Sequence, residues 1–214
     1  MPKRAIQILW WLTWVACLGP VALLGWRALH GELGADPVQE ITHFTGDWTL
    51  RLLLACLAVT PIRRLTPRLS WLIRFRKLLG NYAFFYASLH LLTWIVLYSG
   101  LDWHAMGADI VKRRFITVGM FAWVLLSALA ATSSAWAIRK LGGKRWQALH
   151  RLVYVAAIAG VLHYWWLVKP GVRTPLNDTA VLTLLLLARI VWELAHRRPR
   201  QGAGSSSRPT VATA

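Results

Sequence analysis

Three histidines, His90, His150 and His163, lie within long apolar stretches of the sequence. An ionisable side chain at membrane depth is costly and marks function by default. Imidazole is also the commonest metal ligand, binding through a neutral ring nitrogen. His150 and His163 stand thirteen residues apart in HRLVYVAAIAGVLHYWW, a separation of roughly 20 Å along one helix. That is most of the ~30 Å hydrocarbon core of a bilayer. The spacing predicts a ligand near each membrane face, with His90 as a third on another segment. Haem-based electron transfer across a membrane is the chemistry such a set fits.

Depth sorts the three residues. His90 falls roughly 18 Å into its segment and His163 roughly 25 Å from the same face, at ~1.5 Å per residue. A helix tilt of ~20° absorbs that difference, so the two are expected to form an axial pair in the outer half. His150 is expected near the inner face, with no histidine from another segment at its depth. On an ideal helix His150 and His163 are also ~220° apart in rotation, so they share no stripe. For each residue taken alone, a hydrogen bond to a carbonyl or serine of a neighbouring helix is the competing role.

The segments that must carry these residues follow from composition. The chain is 57% hydrophobic and 15% charged and holds fourteen tryptophans, which places it among membrane proteins. The expected fold is an all-α integral membrane bundle of six spans, near 8–28, 47–62, 78–99, 115–133, 146–168 and 177–194. The formal charge of +17 does not read as nucleic-acid binding, because of where it sits. Lys3 and Arg4, the basic residues from Arg63 to Lys77, those from Arg139 to Arg145 and the tail arginines 197, 198, 200 and 208 all fall on one side. The positive-inside rule makes that side cytoplasmic, so the chain is expected N-in and C-in. MPKR and its apolar run lack an A-x-A cleavage site and are expected to remain as the first helix. Cys17 and Cys56 lie in apolar runs without a CxxC, as small packing residues.

The connections are read more coarsely. RRLTPRLSWLIRFRKLLG alternates basic and apolar residues and fits an inner-leaflet segment. Residues 29–46 form the longest outer loop, with His43 at the edge of span two as an interfacial residue or part of a quinone or partner site. The polar tail 196–214 is expected to be disordered, leaving 1–195 as one membrane domain. No internal repeat suggesting inverted halves is evident, which counts against a transporter that relays protons through histidines.

The stretches RKLLGNYAFFYASLHLLTW, KRRFITVGMFAWVLLSALAATSS and KRWQALHRLVYVAAIAGVLHYWWLVK resemble the MsrQ (YedZ) family. These are haem-binding membrane subunits of periplasmic methionine sulfoxide reductase systems, within the wider ferric-reductase-like transmembrane domain family. The resemblance covers residues 1 to about 195. It implies one or two b-type haems, with His90, His150 and His163 as the haem-associated histidines. It also implies the bacterial inner membrane, electron delivery to a periplasmic molybdenum-cofactor subunit, MsrP, and an FMN whose residues no fingerprint here identifies. The wider family usually carries two histidines on its third helix, whereas Arg76 and Lys77 stand at the corresponding positions here. No GxGxxG follows a strand, so the expected donor is the quinone pool or a separate cytoplasmic flavin reductase. The alternative on the same residues is a bis-haem quinol or ferric reductase unrelated to sulfoxide repair.

Overall fold

In the apolar runs, the polar residues at their ends decide where each helix begins. The computed structural model describes residues 2–168 and 174–196; of the expected tail, 197–214 lies outside them. α1 (Lys3–Leu29) is followed by α2 (Pro37–Leu65). α2 starts ten residues before the expected span, because the Asp36 carboxylate accepts the Gln39 N–H and Pro37 occupies the first turn. Most of the expected outer loop 29–46 is therefore helix. A 3-10 segment (Pro67–Leu72) leads into α3 (Ile73–Leu92), which widens into a π-helical stretch over Thr93–Tyr98. α4 (Trp103–Lys112) starts on Asp102, whose carboxylate accepts the His104 and Ala105 N–H groups.

α5 (Arg114–Ala131) is followed by α6 (Ala135–Leu141), capped by Ser134, and by α7 (Gly143–His150). α8 (Leu152–Leu167) and α9 (Thr174–Ala195) complete the described residues. The stretch expected as one fifth span is two helices divided at Arg151. There the Arg151 N–H is shared between the carbonyls of Gln147 and Ala148, and the Trp146 indole N–H donates to the Thr132 carbonyl, tying α7 to the end of α5. Arg151 keeps helical dihedrals (φ −71°, ψ −21°), so the chain stays helical through the junction that separates His150 from His163.

The expectation of six continuous spans is corrected in the same way. Among the described residues, α1 and α5 are long and apolar enough to cross a membrane; a third candidate, Pro67–Tyr98 with Trp103–Lys112, is bent by 119°. The other expected spans carry charged residues or are shorter than the apolar stretch a crossing needs. α2 carries Asp47 and Arg51, α8 keeps sixteen residues after the break at Arg151, and α9 carries Arg189 and Glu193.

α2, α3, α5 and α8 form the centre, with α1 against α2 and α3, and α9 against α2 and α8. The core runs through Leu53, Ala83, Tyr86 and Ala157; the alanines let neighbouring backbones approach closely. Cys17 and Cys56 are free and buried, as packing residues. Outward faces are apolar too, with Leu12, Val15, Val124 and Leu184 all more than half exposed, the inverse of a water-soluble helix.

α1 contains Pro20, which cannot donate to the helical ladder. Around it, the Tyr86 hydroxyl accepts the Val21 N–H at 3.1 Å and donates to the Cys17 carbonyl at 2.8 Å. A side chain of α3 thus serves the α1 backbone at its weakest point. One helical turn earlier on α3, the Tyr82 hydroxyl donates to the Trp14 carbonyl. Tyr86→Phe should destabilise the protein by about 1–3 kcal/mol by leaving buried backbone groups without this partner. Thermal unfolding in detergent checks this, and Tyr82→Phe should cost less because its group is less deeply buried.

Candidate functional site

A cavity of about 330 Å³ lies between α2, α3, α5 and α8, with almost entirely apolar walls that include Leu50, Leu53, Trp123 and Leu126. His90 enters it from α3, just before the π-helical stretch, and His163 enters from α8. π-Helical insertions in membrane helices often sit at functional sites. The ring centres of the two histidines are 5.9 Å apart and their planes cross at 86°.

Each ring is held in the same way. His90 Nδ1 lies 2.9 Å from the Thr42 carbonyl, and His163 Nδ1 lies 2.7 Å from the Phe115 carbonyl. A carbonyl can only accept, so both Nδ1 atoms carry the proton and donate it. This fixes the neutral tautomer with the Nε2 lone pair available, the arrangement expected of metal-ligating histidines. Among the described residues neither Nε2 has a hydrogen-bond partner in the protein.

Thr42, Gly46 and His90 recur as Phe115, Gly119 and His163, each 73 positions later. The correspondence extends to the cavity wall. All seven lining positions of α2 have counterparts 73 residues on in α5, and Ala87, His90, Leu91 and Trp94 have theirs at Gly160, His163, Tyr164 and Leu167. The α2–α3 and α5–α8 hairpins are therefore two copies of one half-site. They run in the same direction, since Thr42 and Phe115 both lie near the starts of their helices while His90 and His163 both lie near the ends. The repeat is thus parallel.

Chemistry departs from the repeat at several pairs: Thr42 stands opposite Phe115 in the correspondence, Thr49 opposite Ala122, His43 opposite Ile116, Asp47 opposite Met120, and Tyr164 opposite Leu91. Asp47 and Tyr164 are joined by a side-chain hydrogen bond across the α2–α8 side. At the opposite mouth Arg113 hydrogen-bonds Tyr98 and pairs with Asp109 at 3.0 Å, contacts that raise its pKa and keep it cationic. His43, expected at the interface, is one of the lining residues and lies 3.5 Å from the Gln39 amide.

His150 is not among the lining residues. Its Nε2 lies 3.2 Å from the Thr132 hydroxyl and its ring stacks on Trp146. The structure therefore brings together two of the three predicted histidines. Sequence reasoning missed Gly46, Gly119, Arg113 and Tyr98, although the recurrence of a glycine 44 residues before a histidine was there to be found.

Residues 45–161 match the ferric reductase like transmembrane component family, a stretch that runs from within α2 to within α8 and includes His90 but ends two residues before His163. A protein of Ralstonia nicotianae named protein-methionine-sulfoxide reductase heme-binding subunit MsrQ is 46% identical over 95% of this chain and 93% of its own length. Proteins of the same name from Rhodospirillum rubrum (50% identical; 86% of this chain, 88% of its own) and Bordetella pertussis (46%; 95% and 97%) agree. The chain belongs to the MsrQ family. As a member of a transmembrane family with two strongly apolar helices, it is a membrane protein.

Both acceptors of the histidine Nδ1–H groups are backbone atoms, so the MsrQ-family half-site does not depend on the side chains at Thr42 and Phe115. Histidine ¹⁵N NMR of the cofactor-free protein should show His90 and His163 as neutral Nδ1–H tautomers. The Thr42→Ala variant should keep the His90 signal; its conversion to an Nε2–H form would show that the carbonyl does not orient the ring.

Proposed function

We propose that the chain is the haem-bearing electron-transfer subunit of a methionine sulfoxide reductase system, with haem b held between His90 and His163. The observation that carries this reading is the facing pair of imidazoles, 5.9 Å apart, in a chain whose relatives are named heme-binding subunits. His90 and His163 would hold the iron through their Nε2 atoms, and metal–nitrogen bonds of about 2 Å are compatible with that separation. Among the described residues no three His, Cys, Asp or Glu side chains gather as a metal cage. A pair of axial ligands suits a metal whose remaining positions are filled by a macrocycle.

When bound, the haem supplies a one-electron couple between ferric and ferrous iron. The protein residues set its conditions. The Thr42 and Phe115 carbonyls draw on the two Nδ1–H groups and make the opposite nitrogens better donors, which favours the ferric form. Leu53, Trp123 and Leu126 keep water from the metal axis, and Arg113 provides a fixed cation at the mouth for carboxylate groups.

The remaining elements follow the family reading. The chain passes the bacterial inner membrane six times as α1, α2, α3 with its π-helical end, α5, α7–α8 and α9, with both termini in the cytoplasm. Residues 1–195 form the membrane domain and 196–214 the cytoplasmic tail. Electrons come from the quinone pool or a cytoplasmic flavin reductase, with FMN as an additional carrier. They leave to the periplasmic molybdenum subunit MsrP, where two electrons and two protons convert a methionine sulfoxide to the thioether and water. Cys17 and Cys56 are buried, which fits sulfoxide chemistry on the partner. His150, whose Nε2 lies against the Thr132 hydroxyl, would hold a second, inner haem.

A dithionite-reduced minus oxidised spectrum of the purified protein tests the reading. A b-type α band is expected, and its absence would sink the proposal. His90→Ala and His163→Ala should each remove the same haem component. His150→Ala should remove a separate component; an unchanged spectrum would exclude the second haem. Co-isolation with a molybdenum-containing periplasmic protein separates sulfoxide repair from the alternative of a quinol or ferric reductase.

A further inference from the structure

Gly46 and Gly119 have no part in the reading above, yet they occupy the same place in the two half-sites. Each lies four residues beyond the carbonyl that holds its histidine, one helical turn along the same face. A Cβ built on Gly46 would stand 3.2 Å from both Cε1 and Nδ1 of His90. One built on Gly119 would stand 2.8 Å from Nδ1 and 3.0 Å from Cε1 of His163. The other helical glycines of the described residues behave differently. Gly19, Gly25 and Gly107 have open space where a Cβ would go, while Gly80 and Gly160 would make ordinary contacts at 3.5 and 3.8 Å. Glycine is a poorer helix former than alanine, so two glycines against two ligand rings call for a local reason.

We propose that Gly46 and Gly119 are positioning residues that set the rotation of the two axial imidazoles, so that the duplicated half-sites present crossed rings to one haem. This rests on haem being held between His90 and His163. A methyl group at either position meets the Nδ1 edge of the ring, the edge hydrogen-bonded to the carbonyl. To make room, the ring must turn about its own axis and lengthen or break that bond. Both changes reach the metal: ring rotation alters the angle between the ligand planes, and loss of the bond makes Nε2 a weaker donor. The two positions are not equal. The contact at Gly119 is too short to survive, so His163 must move, whereas a shift of a few tenths of an ångström relieves the contact at Gly46.

Perpendicular axial imidazoles give low-spin ferric haem a strongly anisotropic EPR signal, and more nearly parallel rings give a rhombic one. The full chain, purified with its haem, should show the anisotropic form. Gly46→Ala should retain haem with reduced g-anisotropy. Gly119→Ala should show a larger change, together with loss of haem or conversion of a substantial fraction to high spin. Gly25→Ala should match the unsubstituted protein. Spectra of Gly46→Ala and Gly119→Ala that superimpose on the parent would overturn the proposal while leaving the haem assignment intact. Absence of haem from the parent protein would remove both. Should Gly119→Ala accumulate poorly, His163→Gly supplied with free imidazole gives an independent arm. The untethered ring can yield to a new methyl group, so adding Gly119→Ala to that background should change the low-spin signal little. A defect as large as that in the tethered protein would make Gly119 a packing residue and overturn its positioning role.

Discussion

The structure turns on two hydrogen bonds in which a histidine Nδ1–H donates to a backbone carbonyl of the adjoining helix. Each fixes a tautomer, aims an Nε2 lone pair into the cavity and joins two helices of a hairpin. A buried N–H left without an acceptor costs free energy comparable to a lost hydrogen bond. The bond therefore holds the register of α3 on α2 and of α8 on α5 as well as the ring. The acceptor carbonyls lie in the second turn of α2 and the first turn of α5, so the starts of those helices also place the ligands. Asp36 with Pro37 does this for α2, while α5 begins directly after Arg113, whose side chain is anchored to Asp109 and Tyr98.

Around this repeated backbone, side chains differ where the two halves must do different things. The pairs His43/Ile116, Asp47/Met120 and Tyr164/Leu91 place one polar group and one apolar group at equivalent positions. The hydrogen bond between Asp47 and Tyr164 gathers polar groups from both copies on one side. A flat, amphipathic group in such a cavity meets unlike edges, although the helices around it are related by a repeat.

The helical class, the apolar spans and the histidines at matched depth were legible because membrane burial selects residue types strongly along a helix. His90 and His163 could be paired from depth alone, since rise per residue is nearly constant. The junction at Arg151 was not legible, because no proline or glycine marks it where the basic α7 stretch gives way to the apolar α8. The early start of α2 is signalled by Asp36-Pro37, a capping pattern that the polar residues following it obscure. Gly46 and Gly119 escaped notice because single glycines are common in membrane helices; only the shared interval to a histidine sets them apart.

Tyr86 adds a constraint in time. α1 leaves the ribosome before α3, but the hydroxyl that serves its backbone around Pro20 belongs to α3 and emerges 65 residues after Val21. Until α3 is in place, α1 reaches the lipid with a proline-weakened turn and no partner from α3. Its final seat is therefore set during biogenesis by a later helix, and the same α3 brings His90 to the cavity. Docking of the first helix and arrival of the first ligand are thus coupled steps in assembly.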